Sequence, residues 1–199
     1  MSSLEEQRQT SEVNELQAFI AANADEIFNS EGSPTVGNPQ GDVTIVELFD
    51  YNCPYCRKAV PLLTEAAEAD GGLRVVLKEW PILGPGSLAA ARVALAAHAQ
   101  DEYEALHKAL MAHSGRVDEA VALELAETVG IDVERLKRDM KSPNGAAEID
   151  RNMARAGDLR ITGTPSFVIG DEIVRGLVDL ATLQRHIADA RAAADRGTE

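Results

Sequence analysis

Cys53 and Cys56 are the chain's two cysteines, separated by Pro54 and Tyr55 in the stretch LFDYNCPYCRKAVPLL, residues 48–63. An apolar run gives way there to a helix-like pattern. At a helix start, unsatisfied backbone N–H groups and the macrodipole favour negative charge. A thiolate in that position is stabilised, and the thiolate is the attacking form in disulfide exchange. A cysteine three residues further on returns to the same helix face, within bonding reach of the first. The pair therefore reads as a redox couple. Cys53 is expected to be exposed and nucleophilic, and Cys56, one turn further in, to be the shielded thiol that resolves a mixed disulfide.

Other uses of two cysteines fit less well. A structural zinc site needs about four ligands, and His98, His107, His113 and His186 form no ligand pattern with this pair. A structural disulfide closing so short a loop would constrain the unfolded chain very little. Two inert buried thiols would not require this spacing. No nucleophile elbow, dinucleotide fingerprint or phosphate loop is present, and His107 and His113 are expected to be surface or packing residues. No metal and no cofactor is implied.

The elements that must position the pair follow from periodicity. Residues 44–51 (TIVELFDY) are almost continuously apolar, as is usual for a central strand covered on both faces. The helix after it starts near Cys53, tolerates Pro54 in its first turn and runs to about Ala69, where Asp70-Gly71-Gly72 stops it. Residues 73–80 (LRVVLKEW) form a second strand, and strand–helix–strand order implies a right-handed crossover and a parallel pair. Ser87 is a good N-cap for a helical lobe with segments at 88–99, 101–112, 117–129, 133–140 and 144–158. Ser166–Ile169 and Glu172–Arg175 make an antiparallel hairpin, and Leu180–Ala194 a closing helix. Ahead of all this, Ser11–Phe28 repeats at helical spacing, residues 1–10 are polar and expected to fray, and residues 29–42 read as a loop. A four-stranded sheet with a large helical insertion results. The divisions are 1–36 as N-terminal helix and linker, 37–84 with 160–199 as the sheet domain, and 85–159 as the inserted helical domain.

The 199 residues carry a formal charge of −14, which disfavours nucleic acid and anionic lipid as partners. The start, MSSLEEQRQTSEV, has neither the basic segment nor the apolar core of a secretory leader. A chain without thiols that could mispair nevertheless suits an oxidising compartment. A periplasmic location is therefore expected, for a mature form whose leader has been replaced by methionine, ahead of a cytoplasmic one.

A strand, then Cys-Pro-Tyr-Cys opening a helix, then "ITGTPSFVIGDEIVRGLVD", resembles the thioredoxin fold. The helical lobe between the second strand and Gly-Thr-Pro resembles the DsbA-like branch of bacterial thiol–disulfide oxidoreductases, over about residues 37–195. The resemblance implies Cys53 as nucleophile, Cys56 as resolving thiol, and Pro165 as a cis-proline beside the disulfide, preceded by Thr164. In that family the loop binds an extended substrate segment, so Thr164, Pro165, Pro54 and Tyr55 are candidate substrate-binding residues. Pro61 matches a proline that kinks the active-site helix.

Glu47, six residues before Cys53 in an apolar strand, is expected to be buried, with a raised pKa, and to accept or return the Cys56 proton. Lys78, in the neighbouring strand, would pair with it, as a similar lysine does in the family; the competing reading is a sheet-edge Glu and Lys facing water. Tyr55 stands where strongly oxidising members have histidine, and Thr164 is polar where some have an apolar residue, so oxidase, isomerase and reductase directions all remain open. Expected partners are cysteine-containing polypeptides and a redox protein that reoxidises or reduces the pair. The apolar face of the N-terminal helix is shorter than three heptads, so packing on its own domain is favoured over oligomerisation. The competing functions are a non-catalytic chaperone or copper-binding thioredoxin-like protein, soft Cu(I) suiting paired thiolates, and a cytosolic enzyme of the kappa glutathione transferase or FrnE-like type.

Overall fold

The computed structural model describes residues 3–197. In chain order the elements are α1 (Ser3–Ala22), α2 (Ala24–Phe28), β1 (Thr35–Gly37), β2 (Val43–Phe49), α3 (Pro54–Ala69), β3 (Leu73–Glu79), α4 (Pro85–His98), α5 (Tyr103–Ala112), α6 (Glu119–Thr128), α7 (Val133–Asp139), α8 (Pro143–Asp158), β4 (Ser166–Ile169), β5 (Glu172–Arg175) and α9 (Leu180–Gly197). This is the thioredoxin-like α/β fold with a helical insertion between β3 and β4.

Among the described residues the sheet has five strands in the order β1-β3-β2-β4-β5, one more than the sequence pattern predicts. The extra strand is the three-residue β1, antiparallel to β3 with Thr35 opposite Val76. It lies in the Gly- and Pro-rich stretch that reads as loop, and straddles the expected boundary at residue 36. Only its partner makes it a strand, so no local pattern announces it. β2 and β3 run parallel, Val43 beside Leu73 through Phe49 beside Glu79, as a crossover through α3 requires. β4 is antiparallel to β2 and to β5.

The two sheet faces bury different sets of side chains. Ile45 and Phe49 of β2, Val75 and Leu77 of β3, and Phe167 and Ile169 of β4 pack with Cys56, Ala59 and Leu63 of α3 and Leu183 and Ile187 of α9. The same core runs on into the insertion through Val93, Leu106 and Leu136. On the opposite face Val46, Leu48, Val76, Trp80 and Val168 pack against Ile20, Ile27, Ala156 and Leu159. That face is covered by the N-terminal segment and by α8.

The N-terminal helix begins at Ser3 rather than Ser11 and breaks at Asn23, so helix replaces the expected fraying across the described part of residues 1–10. Its first turns are exposed, and Ile20 is its first fully buried apolar side chain. Ser87 does not cap α4. That role falls to Gly84, at φ +111°, with Pro85 in the first turn, and Ser87 is buried inside the helix.

Candidate active site

β2 ends at Phe49, and the turn Asp50–Asn52 delivers Cys53 as the residue preceding α3, with Pro54 in its first turn. Each step of the turn is held. The Asp50 carboxylate accepts from Asn52 N at 2.8 Å and from Leu83 N at 2.9 Å, and Cys53 N donates to the Asp50 carbonyl at 3.0 Å. Asn52 reaches across to the insertion: its amide donates to Ser87 Oγ at 3.0 Å and to the Val117 carbonyl at 2.9 Å, and its Oδ1 accepts from Val117 N at 2.8 Å. Arg57 braces the loop from the helix side, donating to the carbonyls of Tyr51 and Gly115. The helical insertion is thus bonded directly to the loop that carries the thiol pair.

Both cysteines are present as thiols. Cys56 is completely buried, and Cys53 retains 5% of its surface. Cys53 is therefore far less exposed than the sequence suggests, because the Thr164–Pro165 loop lies over it. Its thiol donates to the Thr164 carbonyl at 3.3 Å. The Thr164–Pro165 peptide bond is cis, and Pro165 is tied back to the hairpin by Gly176 N donating to its carbonyl. Pro54 and Tyr55 are exposed beside the pair. Ile82 and Leu83 are also exposed large apolar residues, and Leu83 is joined to the active-site turn through Asp50. Pro61 lies inside α3.

Burial pushes the Cys56 thiol up strongly, and the charge of Glu47 pushes it the same way. Glu47 is itself completely buried, and neither carboxyl oxygen has a hydrogen-bond partner. Its pKa is raised to about 8 by burial. A carboxyl in that range sits close enough to neutrality to hold or release a proton under physiological conditions.

Lys78 is not the partner of Glu47. In the parallel register Glu47 lies beside Leu77, and Lys78 lies beside Leu48, so Lys78 projects from the opposite face. There its ammonium donates to Ser33 Oγ at 3.0 Å, and Ser33 in turn donates to Glu148, which also receives Arg151. Burial lowers the Lys78 pKa to about 8, against the opposing charge of Glu148. The error is one of strand periodicity: a strand apolar on both faces does not reveal which of two adjacent charged residues shares the face of Glu47.

The acid on that face of β3 is Glu79, which sequence reasoning missed. It is 1% exposed, and its Oε1 accepts from Tyr51 OH at 2.8 Å and Tyr103 OH at 2.7 Å. Tyr51 OH also lies 3.1 Å from His107 Nδ1, and the His107 ring stacks on Tyr103. Burial raises the Glu79 pKa to about 8 even though both phenols lower it, and burial drops that of His107 to about 3. His107 is therefore a packing residue, neutral throughout the physiological range. The cluster joins the active-site turn, the end of β3 and α5. The signal in the sequence is Glu79 itself, since two adjacent charges in a strand buried on both faces must fall on opposite faces.

Among the described residues no group of three or more His, Cys, Asp or Glu side chains is placed to hold a metal ion, and no helix is long and apolar enough to cross a membrane.

Residues 44–188 match the DSBA-like thioredoxin domain model. The chain is 50% identical to a thioredoxin-like oxidoreductase from Silicibacter pomeroyi, with TM-score 0.83, covering 84% of this chain and 97% of that one. It is 27% identical to the thiol-disulfide exchange protein alpha-DsbA2 of Wolbachia pipientis, with TM-score 0.83, covering 90% and 97%. It is likewise 27% identical to a periplasmic thioredoxin-like protein from Salmonella enterica serovar Typhimurium, with TM-score 0.77, covering 85% and 95%. Curated relatives include proteins of a different kind: over 156 residues the chain is 29% identical to the Na(+)/H(+) antiporter NhaA 1 of Salinispora arenicola, covering 77% of this chain but 24% of that protein. The chain thus spans about a quarter of the length of the first curated relatives it matches.

Proposed function

The chain belongs to the DSBA-like thioredoxin domain family, and from that premise we propose that it exchanges a Cys53–Cys56 disulfide with cysteine-containing polypeptides in oxidative folding. In the oxidising direction a substrate thiolate attacks Cys53 Sγ, breaking the Cys53–Cys56 bond and forming a mixed disulfide. Cys56 leaves as thiolate and takes a proton from Glu47. A second substrate thiolate then attacks the substrate sulfur of the mixed disulfide and expels Cys53. Two electrons have passed to the pair, the substrate has gained a disulfide, and a redox partner protein must remove those electrons before the next turn. In the isomerising direction a Cys53 thiolate attacks a substrate disulfide and is expelled when the substrate's own thiol closes a different one.

The observation that supports this reading is the unpaired buried carboxyl of Glu47 behind a fully buried Cys56. A leaving thiolate in a buried site needs a proton, and Glu47 is the titratable group whose charge is felt most strongly at Cys56. Substrate would lie extended along the Thr164–Pro165 loop, with Pro54 and Tyr55 at its edge. Exchange of this kind suits an oxidising compartment. The likeness to a periplasmic protein supports placing it in the periplasm.

Trapping tests the proposal. Cys56→Ala incubated with a reduced, unfolded cysteine-containing polypeptide and an oxidant should accumulate a mixed disulfide at Cys53, and Cys53→Ala should accumulate none. Equilibration against graded glutathione buffers then sets direction. A potential near or above roughly −200 mV fits a donor or isomerase, and one near about −270 mV fits a reductase. A wild-type pair that does not equilibrate at all would refute exchange.

A further inference from the structure

A cavity of about 310 Å³ opens between α3, α5 and the β1–β3–β2 part of the sheet. That is the lower end of the size range of small-molecule sites, which are mostly apolar with a few convergent polar groups. Its walls are Val36, Val60, Leu63, Ala67, Val75 and Leu77, and Glu47 also lines it. Both Glu47 oxygens lack a hydrogen-bond partner. A buried carboxyl with no partner costs several kcal/mol in general, and a ligand atom that donates to it would recover much of that. At the mouth stand Glu68 and Glu104 with Lys108, and the Lys108 ammonium is already taken by Glu104 at 2.6 Å. His107, also in the wall, is neutral. Apart from that internally satisfied pair, the cavity offers acid at both ends and apolar surface between.

We propose that this cavity is a binding site for a small amphiphilic cation, a compact apolar body carrying one protonated amine that donates to Glu47. The apolar walls take up the hydrocarbon, and the unpaired carboxyl supplies the single directional contact. The site shares Glu47 with the proton route to Cys56 proposed above, so the test reads binding at the cavity walls rather than exchange activity. Occupancy would also be felt by the thiol pair, since the charge of Glu47 acts on Cys56.

The test uses cyclohexylmethylamine, with cyclohexylmethanol as its neutral counterpart, titrated at pH 8 while side-chain methyl resonances are followed by NMR. The amine should give saturable shifts at the methyls of Val60, Leu63, Val75 and Leu77, and should bind at least about fivefold more tightly than the alcohol. Ala67→Leu, which fills the cavity and leaves Glu47 in place, should weaken both probes tenfold or more. Glu47→Gln should keep the alcohol and erase the preference for the amine. Absence of saturation with either probe up to about 10 mM, where binding is weaker than about −3 kcal/mol, would overturn the proposal. So would equal affinity for Ala67→Leu, or an amine preference that survives in Glu47→Gln.

Discussion

Lys78 and Glu47 occupy neighbouring parallel strands but project from opposite faces of the sheet, Glu47 towards α3 and Lys78 towards Ser33 and Glu148. The sheet stands between the ammonium and the thiol pair. Lys78→Met should therefore leave the rate at which oxidised glutathione reacts with the reduced pair within about twofold of wild type. Glu47→Gln should slow that rate near neutral pH by tenfold or more, since positioned proton transfer contributes roughly 10²–10⁴-fold where it operates. The pH–rate profile separates the two variants. A flattening near pH 8 belongs to Glu47→Gln alone, and an equal effect of Lys78→Met would remove Glu47 from the proton's route.

Glu47 also makes stability depend on pH. Its pKa is raised from 4.5 to about 8 in the folded chain, so between those values the unfolded state has already lost the proton that the folded state keeps. Stability contributed by the neutral acid is complete below pH 4.5, declines as pH rises, and is gone above about pH 8. The full swing is on the order of 5 kcal/mol, and Glu79 adds a decline in the same window. Lys78 acts differently: its pKa is lowered from 10.5 to about 8, so the cost of keeping it buried and charged is relieved only above that range. Urea midpoints at pH 5 and pH 8 should fall for wild type, and fall clearly less for Glu47→Gln.

Tyr103 tests whether the Glu79 cluster fastens the insertion to the sheet domain. Tyr103→Phe keeps the ring that stacks on His107 and removes one of the two phenols that donate to Glu79. A buried acceptor losing a donor costs about 1–3 kcal/mol. Because the tyrosines lower the Glu79 pKa, the variant should also titrate Glu79 higher, which shows as the pH-dependent loss of stability moving upward. Unchanged urea stability would mean that the cluster is not a fastening.

What the sequence disclosed and what it hid divide along physical lines. The thiol pair, the strand before it and the proline loop were legible because each is a local pattern: a spacing, an apolar run, a turn dipeptide. Glu47 was legible as a lone acid in an apolar strand. β1 was hidden because three residues, Thr35–Gly37, become a strand only through pairing with β3. The Glu79 cluster was hidden because its members lie at 51, 79, 103 and 107, and only the tertiary fold brings them together. Ser87 misled for a related reason. A serine before a helical run is a cap by propensity, but here its hydroxyl serves Asn52 of the active-site turn.

The N-terminal segment belongs to the folded core rather than trailing from it. Ile27 is completely buried and joins Ile20 against Val46, Leu48, Val76 and Trp80. Polar contacts reinforce it: Arg155 pairs with Glu26, Arg74 donates to the Phe28 carbonyl at 2.7 Å, and Lys78 donates to Ser33. Truncating a fully buried isoleucine removes its transfer energy and leaves a cavity that the sheet cannot close, about 2–5 kcal/mol together. Ile27→Ala should lower the unfolding free energy from urea titration by that amount in one cooperative transition, followed both by Trp80 fluorescence on this face and by circular dichroism. The exposed Val13 offers the contrast, since Val13→Ala on the outer part of α1 should change the unfolding free energy by less than about 0.5 kcal/mol. A segment that merely tethers the domain would give small changes for both, whereas one that completes the core gives a large change only for Ile27.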